Sequence, residues 1–288
     1  MALVALIAVT AVWGVTFVQV KDAVEVYPLF AFMTVRFAIA SGALALPALA
    51  PVRRLGRRGL AAGVFVGALL GAGFALQTAG LERTTVSGTG FITGLYVVFT
   101  PLFALVLFRN RVGLAVWAGV ALSTAGLALL AGVHVGSTAG DLLVLASSAV
   151  QALQILFVER FAARYDPTAL AFLQMVTVAA GCLAIALALG DLEAPHGWTV
   201  WGAVLVTGVF ASAFAYLVQA WAQRRLSATR IALVFALETV WAGIFGYALG
   251  GDRLGVQGWG GCALILGGIV LSEPAAARIL ARLTRREP

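Results

Sequence analysis

Residues 227–243, SATRIALVFALETVWAG, place one carboxylate, Glu238, inside an apolar run long enough to cross a bilayer. A charged side chain near the bilayer centre costs about 2.5 to 3.5 kcal/mol on insertion scales, so it normally faces a protein interior or a watery cavity and is a functional candidate by default. Counting from residue 227, Glu238 stands 11 residues into its helix, roughly 16 Å at 1.5 Å per residue and close to the midplane. The surroundings of this one residue decide how the rest of the chain is read.

Those surroundings are a membrane protein's. The 288 residues are 62% hydrophobic and 11% charged, which excludes a soluble globular domain. The charges cluster between apolar blocks of spanning length. Ten such blocks predict helices at about 2–20, 28–50, 59–81, 86–108, 113–133, 139–160, 167–189, 198–223, 227–249 and 255–272. The fold class is therefore an all-α integral membrane protein of ten transmembrane helices. The opening run MALVALIAVTAVWGVTFVQV has no basic leader and reads as a retained span.

The net charge of +7 reflects loop distribution and calls for no nucleic acid partner. Fifteen of the nineteen basic residues fall on one set of connections: Arg53, Arg54, Arg57 and Arg58; Arg109 and Arg111; Arg160 and Arg164; Arg224, Arg225 and Arg230; and Arg278, Arg282, Arg285 and Arg286. Only Lys21, Arg83 and Arg253 fall on the other set, and Arg36 lies within the second block. Basic residues accumulate on the cytoplasmic side, so both termini are expected there.

A shift of 142 residues superposes Gln77 on Gln219, Arg83 on Arg225, Arg111 on Arg253, Gly113 on Gly255, Trp117 on Trp259, Gly119 on Gly261 and Gly126 on Gly268. A slightly smaller shift sets Trp13-Gly14 against Gln151-Ala152 and Lys21 against Glu159. The division expected is 1–133 and 139–272, two halves of five helices, with a basic cytoplasmic tail over 273–288. An odd number of crossings per half gives inverted topology, the plan of many secondary transporters. At this offset the mate of Glu238 is Tyr96, so the near-symmetric frame is asymmetric in charge at its centre.

These features resemble the drug/metabolite transporter superfamily, in its EamA-like branch of ten-helix permeases. The likeness rests on Trp13-Gly14 with Phe17, Arg36-Phe37, Thr100-Pro101 followed by Arg111, Leu237-Glu238, and Asp252-Arg253 before the last block. It covers essentially the whole chain. Two departures stand out. Thr239 occupies a place where the family commonly has proline, so nothing in that residue dictates a broken backbone, and Asn110 is the first-half counterpart of Asp252. The resemblance implies a central cavity between the halves, lined by the first, third, fourth, sixth, eighth and ninth helices and worked by alternating access, with the second helix towards the periphery.

Candidates for substrate binding or coupling follow from polar or aromatic residues on those helices. Glu238 is the candidate for proton coupling, against a structural carboxylate bonded to a neighbouring helix. Arg36, eight residues from the outer end of its block and so about 12 Å deep, is read as a structural or snorkelling arginine or as a clamp for a substrate carboxylate, at a depth that lets it approach Glu238. Gln77 and Gln219 are mates under the offset, and Tyr216 lies three residues before Gln219 on one helical face. Trp13, Tyr96, Thr100, Gln151, Gln154, Thr239 and Trp241 complete the set. Sparse amides among aromatic faces suit a small, partly apolar organic solute, although interhelical hydrogen bonding explains any one of them singly.

Gly63, Gly67 and Gly71 recur every four residues and make a stripe on which another helix can lie closely. Gly88 and Gly90 sit in a span with no preceding strand and carry no nucleotide reading. Cys182 and Cys262 are packing residues, and His134 and His196 fall in outer loops, so no metal, cofactor or catalytic set is expected and the chain is read as no enzyme. The function expected is a secondary transporter of a bacterial inner membrane, exporting a small metabolite such as an amino acid or related amphiphile. The export direction comes from the resemblance. The alternatives are an uptake permease for sugars or other solutes and, in another class, a membrane-embedded enzyme or lipid-handling subunit. The partners are membrane lipid and a small-molecule substrate, with monomer and homodimer both open.

Overall fold

Runs of Ala, Leu and Val with few breakers leave the backbone no way to satisfy its polar groups in hydrocarbon except as helix, and helix accounts for nearly all of the computed structural model, which describes residues 1–84, 86–110, 112–131, 139–249 and 255–272. Arg111, His134, Asp252, Arg253 and the expected tail over 273–288 lie outside the described residues, as does the side chain of Phe17. The elements in order are α1 (Ala2–Val24), α2 (Leu29–Arg53), α3 (Arg57–Leu81), α4 (Val86–Gly94), α5 (Tyr96–Phe108), α6 (Leu114–Ala131), α7 (Ala139–Ala162) and α8 (Pro167–Leu189). They continue with α9 (Gly197–Val206), a π-helical segment (Thr207–Phe214), α10 (Ala215–Ala222), α11 (Ala228–Phe235), α12 (Leu237–Leu249) and α13 (Val256–Ser272). Among the described residues seven stretches are long and apolar enough to cross a membrane, and three apolar helices are shorter: Ala2–Thr16, Leu114–Leu130 and Val256–Ser272.

Local chemistry sets the ends. Asp166 caps α8, its Oδ1 accepting from the backbone N–H of Thr168 and Ala169 at 2.8 and 3.3 Å, with Pro167 in the first turn. Gly190 ends the same helix at φ +74°. Arg109 takes that left-handed position after α5, at φ 53°, and Asn110 donates back to the carbonyl of Ala104 at 3.1 Å.

Three expected helices are not continuous. The fourth block breaks at Leu95 between α4 and α5, and the ninth breaks at Ala236 between α11 and α12. In each case an i→i+3 turn bridges the gap, from Val98 N–H to Leu95 O at 2.8 Å and from Thr239 N–H to Ala236 O at 3.3 Å. The second break forms although Thr239 replaces the proline. There α1 lies directly on the backbone, and a Cβ added to Gly14 would stand 2.9 Å from Glu238 O and 2.8 Å from Ala242 N. The eighth block widens into π-helix over Thr207–Phe214. Against that segment α2 presses backbone to backbone, with the position of a Gly208 Cβ only 2.8 Å from Arg36 O.

The most extensive pairings are α6 with α13, α2 with α8, α3 with α7 and α8, and α1 with α12. Glycines set the closest of them. A Cβ on Gly119 would meet Gly268 O at 2.5 Å, and one on Gly261 would meet Gly126 O at 2.7 Å, so α6 and α13 touch backbone to backbone at two levels. The stripe of Gly63, Gly67 and Gly71 lies against α8 at Leu173, Gln174, Thr177 and Val178. The packed side chains form two large apolar clusters, and Trp13 rests against both.

Candidate functional site

Between the two clusters lies a cavity of about 750 Å³ of atom-free space, its open mouth included. Nine of the twelve sequence-derived candidates line it: Trp13, Arg36, Gln77, Tyr96, Gln151, Gln154, Tyr216, Gln219 and Glu238. The other three stand elsewhere. Thr100 is fully buried in α5 and donates to Tyr96 O at 2.7 Å. Thr239 serves the turn after the α11–α12 break, and Trp241 stacks on Phe245 and packs against Gly14 of α1.

Helical spacing finds most of the lining residues that polarity alone missed. Thr16 and Val20 follow Trp13 at three and seven residues; Leu70, Phe74 and Leu81 share a face with Gln77; Thr93 precedes Tyr96 by three; Phe235 precedes Glu238 by three. Extending each candidate by one or two helical turns along its own face would have named them. Ile155, adjacent to Gln154, also lines the cavity.

Arg36 reaches this cavity from α2, which the resemblance set at the periphery. Its Nε donates to Ser212 Oγ at 2.9 Å, and its guanidinium carbon lies 4.9 Å from the ring centre of Phe74 and 5.2 Å from that of Phe37. Ser212 belongs to the π-helical segment, whose neighbour Ala211 accepts at its carbonyl from the Trp13 indole N–H at 2.8 Å. The wide turn therefore anchors two cavity residues at once, as π-segments at functional sites commonly do. No ion pair within 4 Å joins Arg36 to Glu238, yet both side chains line one cavity, together with Tyr216.

The carboxyl of Glu238 and the hydroxyls of Tyr96 and Tyr216 make no hydrogen bond to described residues, although all three side chains line the cavity. The apolar wall is a chain of rings. Tyr96 meets Phe235 at 6.4 Å between centres, Phe235 meets Trp13 at 4.8 Å, Trp13 meets Tyr216 at 5.8 Å, and Tyr216 meets Phe74 at 6.2 Å. Edge-to-face contacts of this kind fix ring orientation.

The amides are tied into helix-to-helix links. Gln77 of α3 donates to Thr93 Oγ1 of α4 at 3.0 Å, while Gln151 donates within α7 to Ser147 Oγ at 2.9 Å, and that hydroxyl donates to Gly73 O of α3 at 2.7 Å. Gln219 of α10 donates to Gln154 Oε1 of α7 at 3.1 Å, Gln154 donates to Gln174 Oε1 of α8 at 2.7 Å, and Gln174 donates to Leu170 O at 3.3 Å. Such a wall, apolar with a few fixed polar groups, has the chemistry of a small-molecule pocket.

The sequence profile of the EamA-like transporter family matches residues 1–132 and 138–273. A protein of Archaeoglobus fulgidus described as an uncharacterized transporter is 31% identical over 275 residues, which cover 94% of this chain and 84% of the relative. A solved crystal structure with 20% identity superposes at a TM-score of 0.81 over 96% of this chain and 98% of its own, a likeness of fold. With the family profile spanning both halves of the chain around one aromatic, sparsely polar cavity, the protein belongs to the EamA-like transporter family.

Proposed function

We infer that the chain is a secondary transporter of a bacterial inner membrane, exporting a small amphiphile of the amino-acid kind by alternating access, with proton movement coupled through Glu238. The observation that carries this reading is the carboxyl of Glu238, which faces the cavity without a hydrogen-bond partner among the described residues, directly after a break in its helix. Interrupted helices that present polar groups at the substrate site are a recurring device of secondary transporters. A proton loaded on one side and exchanged for substrate on the other needs one carboxyl that both can reach.

The reading of two inverted five-helix halves is supported by contacts that survive exchange of the halves. The Gly119–Gly268 contact maps onto Gly261–Gly126 at the offset of 142. The pairing of α1 with α12 has its counterpart in α7 with α5, and α3 with α7 has its counterpart in α1 with α10. The breaks at Leu95 and Ala236 fall within one residue of equivalent places at that offset. Counting the three shorter apolar helices as spans gives ten crossings, and the loop arginines then put both termini in the cytoplasm. The cavity wall runs from mid-membrane residues to Val20 and Leu81, near the C-terminal ends of α1 and α3, so in that topology it extends towards the outer face.

The test is transport in proteoliposomes of known orientation, with a panel of labelled L-amino acids and an imposed pH gradient. Wild-type protein is expected to drive efflux from the cytoplasmic face that responds to the gradient, and Glu238→Gln to lose that response. Gradient-sensitive transport by Glu238→Gln would reject the coupling role, and net uptake of labelled sugars in the same vesicles would favour an uptake permease.

A further inference from the structure

The polar groups of the cavity wall divide by sign. Arg36 is only 6% exposed, and it spends its Nε on Ser212 and its faces on two phenyl rings. Its two Nη groups have no acceptor among the described residues. Glu238 has no donor among the described residues either, and the two side chains do not meet as an ion pair. A buried guanidinium and a partly buried carboxylate left apart are each costly in a membrane.

The amide relay adds acceptor character. Leu170 O can only accept, so Gln174 must turn its amide nitrogen there and its oxygen to Gln154. Gln154 then presents its oxygen to Gln219, which donates, and Gln219 Oε1 is left buried without a donor. No flip of one amide relieves this, because the carbonyl at the far end orders the whole chain.

We propose that the cavity recognises its substrate as a zwitterion, with a carboxylate on the free Nη groups of Arg36, an ammonium on Glu238, and an apolar side chain against the rings of Trp13, Phe74 and Phe235. This rests on the reading of the cavity as the transport site, and it adds which residue reads which end of the solute. A solute carrying both charges answers both unpaired groups. The matching amine leaves Arg36 unanswered, and the matching acid leaves Glu238 unanswered, so each half-molecule is rejected by a desolvated charge.

Binding to detergent-purified full-length protein by isothermal titration, with two matched sets of probes, tests the assignment: L-phenylalanine, phenethylamine and 3-phenylpropanoate, and L-leucine, isoamylamine and 4-methylpentanoate. In at least one set the amino acid should bind about tenfold or more tightly than either half-molecule, a difference of roughly 1.4 kcal/mol. Arg36→Gln should erase the preference over the amine while keeping that over the acid, and Glu238→Gln should do the reverse. Arg36→Lys, which keeps the charge, should retain part of the preference if Arg36→Gln loses its fold, judged by size-exclusion profile. Preferences unchanged in both charge variants, or no set in which the amino acid wins, overturn the proposal. Thr16→Trp, which fills the cavity wall, separates the two readings. If it leaves amino-acid binding intact, the cavity is not the site; if it abolishes binding while the charge variants keep their preferences, the cavity stands and the assignment of poles fails.

Discussion

At the scale of single residues, the decisive positions are those where the absence of a side chain, or the lack of a partner, is structural. Gly14 is the clearest. A methyl group there would stand 2.7 Å from Trp241 Cβ, 2.8 Å from Ala242 N and 2.9 Å from Glu238 O, two of them backbone atoms that cannot rotate away. Gly14→Ala is therefore expected to lower stability by about 1–3 kcal/mol, read as a lower thermal unfolding midpoint in detergent, the cost typical of overpacking. Gly71→Ala is the control, because its nearest contact would be Val178 at an ordinary 3.5 Å, and it should leave the midpoint unchanged or slightly raised. Equal losses at the two glycines would mean that α1 does not lie on the α12 backbone as described. The same contact explains why the Trp13-Gly14 dipeptide matters. The indole faces the cavity and bonds the π-segment, while the next residue removes its own bulk so that α1 can lie over Glu238.

At the scale of elements, the bundle is held by polar links as well as by apolar packing. The relay from Gln219 through Gln154 to Gln174 joins α10, α7 and α8, and Gln223 adds a bond to Ile155 O at 2.7 Å. In hydrocarbon there is no lateral hydrophobic drive between helices, so such bonds contribute measurably although modestly. A double-mutant cycle of Gln154→Leu and Gln219→Leu, followed by chemical or thermal unfolding, is expected to give a coupling of about 0.6 kcal/mol, with about 1.7 as the upper end. Strict additivity would remove the relay as a link between α7 and α10. The helix breaks at Leu95 and Ala236 belong to this scale too. The break at Leu95 follows directly on Gly94, a weak helix former. The break at Ala236 has no glycine or proline beside it and falls where α1 lies on the backbone, so there packing rather than local propensity interrupts the ladder.

At the scale of the whole molecule, the inferred topology makes a directional prediction. Cys182 and Cys262 are both buried within apolar helices, so a Cys182→Ala/Cys262→Ala background supplies a cysteine-free protein. In it, Val20→Cys should react in intact cells with a membrane-impermeant maleimide from outside, because Val20 lines the outer reach of the cavity. Ala222→Cys, fully buried towards the other end of the bundle, should remain unlabelled. Labelling of Val20→Cys only from inverted vesicles would reverse the assigned orientation.

Much of this was legible from residues alone. Apolar blocks of bilayer length dictate helices, because hydrocarbon offers the backbone no other hydrogen-bond partner. The lone Glu238 and the amides Gln77, Gln151, Gln154 and Gln219 marked the cavity helices, because polar groups are kept in a membrane interior where protein or cavity receives them. The tertiary structure alone decided that Arg36 turns inward to the cavity, that Thr100, Thr239 and Trp241 do not line it, and that the amides order themselves from Leu170 O to an orphaned Gln219 oxygen. These depend on which face of each helix meets which neighbour, and that is set by contacts between residues far apart in the chain, above all where glycines let backbones touch. Periodicity along one helix carries the face but not the partner. The partner determines whether a polar side chain is consumed in packing or left open for a solute.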